Sequence, residues 1–106
     1  MPKYLVEACY TADGIKNLQK DRAEGRVAAI KTALQSVGGK LETLYFALGE
    51  RDVLLIADCP DVTAIAALSV AASASGMVRT RTTQLLTPFE FDEALQKGVK
   101  YRAPGQ

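Results

Sequence analysis

The chain has 106 residues, with 13 Lys and Arg against 12 Asp and Glu, no His, no Trp and two Cys. A net charge of +1 lacks the positive surplus of a phosphate-backbone binder, and 48% apolar residues are too many for a disordered tail. Without His, a Ser-His-Asp triad, a His-ligated zinc site and a proximal-His haem are excluded within one chain.

One domain over residues 1–106 is the natural reading at this length. Met1 to Glu7 is not expected to act as a signal peptide, because its apolar stretch is short and Glu7 interrupts it. The longest charge-free run, Val62 to Val78, is mostly Ala and Ser. A membrane span wants about 20 strongly apolar residues, so this run reads as a buried helix. Two Cys with no secretory signal point to reduced thiols and a cytoplasmic protein.

Lys3 to Thr11 is rich in β-formers and predicts a first strand. Thr11 or Asp13 then offers a helix N-cap. Ile15, Leu18, Ala23, Val27, Ile30, Leu34 and Val37 recur mostly at three- and four-residue spacing and predict an amphipathic helix of about 25 residues. Gly25 marks a kink or break near residues 20–26. Gly38-Gly39 stops the helix, since glycine tolerates the left-handed conformation.

Lys40–Leu48 and Asp52–Cys59 predict two more strands, joined by a tight two-residue turn at Gly49-Glu50 with Gly49 at positive φ. Asp61 or Thr63 caps a second helix over Val62–Ser75, which Gly76 ends. Its face of Ala64, Ile65, Ala67, Leu68, Ala71 and Ala72 suits close approach to a sheet. Met77–Leu86 is a fourth strand. Thr87-Pro88-Phe89-Glu90 matches a capping box with Pro at the first helical position, opening a short helix to about Lys97. Gly98–Gln106 (98–106) is a polar, flexible tail.

The order β-α-β-β-α-β plus a C-terminal helix is the α+β ferredoxin-like pattern. It predicts a four-stranded antiparallel sheet in spatial order 4-1-3-2 with both main helices on one face. Such a sheet should alternate apolar and polar residues. Val53 to Ala57 is apolar at every position, and Leu44 to Leu48 is similar. Two helices cover one face only, and an exposed patch of several hundred Å² is rare on a monomer. At about 25 cal/mol per Å², covering it contributes several kcal/mol before association costs. Either a second subunit packs sheet to sheet, or the C-terminal helix with Phe89, Phe91 and Leu95 folds under its own sheet.

Several segments resemble the GYD-domain family. They are Lys3-Tyr4-Leu5-Val6 with Thr11 and Gly14-Ile15-Lys16; Gly38-Gly39-Lys40-Leu41-Glu42 leading into Tyr45-Phe46; Gly49-Glu50-Arg51-Asp52-Val53; and Gly76 through Thr83. The match spans nearly the whole chain in order. It departs at the Gly-any-Tyr-Asp signature, where Arg51 stands in the Tyr position between Gly49 and Asp52. The resemblance implies a small bacterial protein with a ferredoxin-like fold of the dimeric α/β-barrel type, and it supplies no catalytic residues.

Alternation across strands puts Leu5, Glu7, Cys9 and Thr11 on one face of the first strand. Arg79, Arg81, Thr83 and Leu85 share a face of the fourth, its neighbour. Glu7 opposite Arg79 or Arg81 makes a polar cluster on the face away from the helices. With Thr83 it is a candidate site for a small polar or acidic ligand, Arg donating bidentately and Glu7 serving as base. The plainer reading is a cross-strand ion pair. Asp52 is expected to bond backbone N–H groups of the turn, a structural role shared with Gly49. Tyr4, Tyr10 and Tyr45 read as core rings. Cys9 and Cys59 fall at opposite ends of neighbouring strands, about 16–20 Å apart, too far for a disulfide.

Nothing in the residue pattern asks for a cofactor or a metal, and no nucleic-acid or membrane partner is expected. Three functions fit. One is a homo-oligomeric binding module with a pocket between paired sheets. Another is a cofactor-independent enzyme, isomerase or monooxygenase-like, on fold analogy. The third is a purely structural interaction protein.

Overall fold

The computed structural model describes all 106 residues. Strand β1 covers Lys3–Tyr10, helix α1 Ala12–Ser36, β2 Lys40–Phe46, β3 Val53–Asp58, α2 Val62–Ala74, β4 Val78–Leu85 and α3 Pro88–Gln96. The strands form one antiparallel sheet in the order β2-β3-β1-β4, as the ferredoxin-like pattern predicts. Both crossover helices lie on one face, because Leu34 of α1 and Ile65 of α2 share a core cluster with Tyr4, Val6, Leu55 and Ala57.

Local chemistry sets the element ends. The Thr11 hydroxyl accepts the Gly14 N–H at 3.1 Å and starts α1. Asp61 accepts the Ala64 N–H at 2.9 Å and starts α2. Thr87 and Glu90 complete a reciprocal capping box with Pro88 in the first turn of α3. Gly38 takes φ +78° at the end of α1, where a side chain would be strained.

Gly14 has a different reason for being glycine. A Cβ there would lie 2.0 Å from the Met77 carbonyl oxygen. The Thr11 N–H donates to that same oxygen at 2.9 Å. The start of α1 is therefore pressed onto the backbone leading into β4.

One expectation is sharpened and two need correction. The break expected near residues 20–26 of α1 lies at Arg22, which has φ 65°, ψ 169° inside the helix. The N-terminal half is anchored at Met77 and the C-terminal half at Leu34 in the core, and residue 22 absorbs the change of direction. Secondly, the turn between β2 and β3 is wider than two residues. The Ala47 N–H bonds the Asp52 carbonyl at 2.9 Å, so the reversal is spread over residues 48–51. Gly49 consequently does not adopt positive φ. Thirdly, α2 is not a buried helix, since Ile65 is its one buried residue. Along α1, likewise, Gly14 and Leu34 alone are buried and Ile15 is exposed.

The core is thin: 11 of 106 residues are buried. Helix α1 packs chiefly over β2, and α2 over β4. The middle of the sheet is left under a cleft between them.

Helix α3 does not fold under its own sheet. None of its residues is buried or joins a core cluster, and Phe89, Phe91 and Leu95 are 74%, 53% and 69% exposed. The radius of gyration is 16.9 Å and the longest dimension 57 Å. A compact chain of this length has a radius of about 13 Å. The C-terminal segment therefore projects as an arm. No helix is long and apolar enough to cross a membrane.

Candidate functional site

The strand registers place the candidate residues on the open face of the sheet. Glu7 of β1 sits opposite Arg81 of β4, and Cys9 opposite Arg79. On the other side of β1, Leu5 sits opposite Ile56 and Glu7 opposite Leu54. Tyr45 of β2 faces Leu54. Directly paired residues project to the same side. The open face thus has an apolar centre of Leu5, Leu54, Ile56 and Tyr45, with charged groups at each end.

At one end, Lys3 bridges Asp58 at 2.9 Å and Glu42. Glu42 reaches it because the register shifts between Leu41 and Thr43, inserting one residue into β2. The hydrogen bonds that the Lys3 ammonium donates to Glu42 and then to Asp58 hold its pKa above the ordinary value.

At the other end, Glu7, Cys9, Arg51, Arg79, Thr80 and Arg81 line an open recess of ≈ 350 Å³. It brings together Glu7, Arg79 and Arg81, as strand alternation predicts. Thr83 faces Leu5 one step further along and does not line it; Thr80 does. Glu7 pairs with Arg51 at 3.7 Å, and neither Arg79 nor Arg81 forms an ion pair. Both are free to meet a ligand. Three guanidinium groups surround one carboxylate, so the recess favours an anion.

Arg51, Cys9 and Thr80 are the members that sequence reasoning left out. Cys9 shares the Glu7 face by alternation alone, a signal that would have included it. Arg51 had none, because its place depends on how the loop folds back. That fold-back is built by Asp52. Its N–H donates to the Ala8 carbonyl at 2.9 Å, and its carboxylate accepts the Tyr10 N–H at 2.8 Å. The expectation that Asp52 bonds backbone N–H groups of the turn is corrected: its carboxylate instead takes the N–H of Tyr10 on the neighbouring strand β1. With the loop tied down, Arg51 Nη1 reaches Cys9 Sγ at 3.7 Å, and the Cys9 thiol donates to the Glu50 carbonyl at 3.1 Å.

Cys59 lies at the opposite end of the sheet, and both cysteines are free. Burial pushes the Cys59 thiol pKa up, with Asp58 and Asp61 adding to it. A Cβ on Gly39 would lie 2.9 Å from Cys59 Sγ, so that neighbour must be small.

Four antiparallel strands in the order β2-β3-β1-β4, two crossover helices on one face and an arginine-lined recess on the other define an α+β ferredoxin-like protein with an open sheet face. Residues 4–95 match the model of the GYD domain, and the chain belongs to that family. A search of curated proteins returns no match.

Proposed function

We propose that this protein is a homo-oligomer that binds a small acidic ligand between paired sheet faces. The supporting observation is that the open face is uncovered by its own chain. Helix α3, which sequence reasoning offered as an alternative cover, projects away from it. Tyr45 stands 69% exposed at the rim of the strip formed by Leu5, Leu54 and Ile56. A second copy laid over that strip shelters it and closes the arginine recess, where Arg79 and Arg81 receive the anion and Arg51 is held by Glu7. In a drier site a charge-assisted pair is stronger. The two free cysteines fit a reducing, cytoplasmic setting, and the family resemblance fits a bacterial source.

Sedimentation of the full chain at micromolar concentration tests the assembly. The expected mass is at least twice the 11.4 kDa of the chain. Ile56→Glu should return it to a monomer with unchanged circular dichroism. Malonate, a small dianion, should raise the melting temperature of the wild type and not of Arg81→Ala. A wild-type monomer overturns the assembly, and equal malonate response in both proteins overturns the site.

A further inference from the structure

We infer a second binding site, on the opposite side of the sheet, that takes a compact apolar molecule carrying one negative charge. The cleft between α1 and α2 has an outer volume of ≈ 340 Å³ and a deeper part of ≈ 90 Å³. Val53 and Val78 floor the deeper part; Ala33 of α1 and Leu68 and Ala72 of α2 wall both. Small side chains on facing helices leave space that large ones would fill. This is where the core is thin.

One charged side chain reaches both volumes. Arg26 lines each, and its Nε is buried without a hydrogen-bond partner. A buried, unpaired guanidinium N–H is costly, and such groups in native proteins call for an explanation. Asp21 also lines the outer cleft yet forms no ion pair with Arg26. The helix break at Arg22 separates them, turning the two halves of α1 in different directions over the cleft. A carboxylate entering from solvent meets the free Arg26 donor, and its apolar body lies against the valine floor. Asp21 disfavours a second negative charge, which selects a monoanion. The cleft and the recess lie on opposite faces of the sheet and share only Thr80 of β4, and Arg26 lines the cleft alone.

The test uses 1-naphthoate as probe and neutral 1-naphthalenemethanol as its control, by calorimetry and amide shift mapping on the full chain. Naphthoate should bind saturably, moving the Ala33, Ala72 and Val78 amides. The neutral control should bind at least about tenfold more weakly, as should naphthoate to Arg26→Gln, the loss expected for a charged hydrogen bond. Arg26→Lys should recover part of the affinity. Ala72→Phe, which fills the cleft and leaves Arg26 in place, should block binding, and Arg81→Ala should bind as the wild type does. Absence of saturable binding at millimolar probe, equal affinity for the neutral control, full affinity in Arg26→Gln, or shifts confined to Leu54 and Ile56 overturns the proposal.

Discussion

The Asp52 carboxylate accepts the backbone N–H of Tyr10 at 2.8 Å, tying the β2–β3 loop to the far end of β1. This bond stands between a flexible loop and a site, because the residue before it, Arg51, is the one that meets Glu7 and Cys9. Asp52→Ala should lower stability by about 1–2 kcal/mol, the cost of leaving the Tyr10 N–H unpaired. Asp52→Asn, which keeps an acceptor oxygen, should lose less. Chemical denaturation of the two variants side by side checks the order.

Gly14 and Gly25 both lie in α1 and should respond oppositely to alanine. At Gly14 the new methyl meets the Met77 carbonyl oxygen at 2.0 Å, and overpacking against backbone should cost at least about 2 kcal/mol. At Gly25 the nearest atom is Asp21 Cβ at 3.6 Å, ordinary contact. There Gly25→Ala should add up to about 1 kcal/mol through helix propensity. Melting temperatures of the two variants moving the same way would contradict this reading.

Arg22, at φ 65°, occupies a region that side chains rarely adopt. Such strain costs about 1–3 kcal/mol, and glycine returns part of it to unfolded-chain entropy, so Arg22→Gly should gain roughly 0.5–1 kcal/mol. Urea midpoints measure it. A loss in Arg22→Gly means that residue 22 is unstrained.

Acid should unfasten α2 at its first turn. The Thr63 hydroxyl and then the Ala64 N–H hold the Asp61 carboxyl below its ordinary value of 3.8. A depressed folded pKa contributes stability that is present above 3.8 and is lost as pH falls through the folded value. Exchange of the Ala64 amide should therefore rise below that pH, and Asp61→Asn should remove the dependence. Lys3 has the opposite sign: its raised pKa contributes below 10.5 and is lost in strong alkali.

What the sequence disclosed was mostly local or periodic. Thr87, Pro88 and Glu90 specify a cap within four residues, and that cap formed. The alternation of β1 and β4 placed Glu7 beside Arg81 because a strand has only two faces. Contacts set by tertiary placement were not legible. Gly25 pointed to the right window for the kink, but the strain fell on Arg22, where two separately anchored half-helices meet. Gly49 suggested a tight turn, yet the Asp52 tether made a wider one. Arg26 did carry a signal: it stands four residues before Ile30 and seven before Ala33, on the face turned to the sheet.

Helix α3 has nine residues and no covering surface of its own. Isolated helices shorter than about 12–15 residues are marginal in water even when well capped. If the arm closes on a second copy, its helicity depends on how many copies are present. Dilution should melt Pro88–Gln96 before the sheet loosens, so the order of this one segment would report the protein's own concentration.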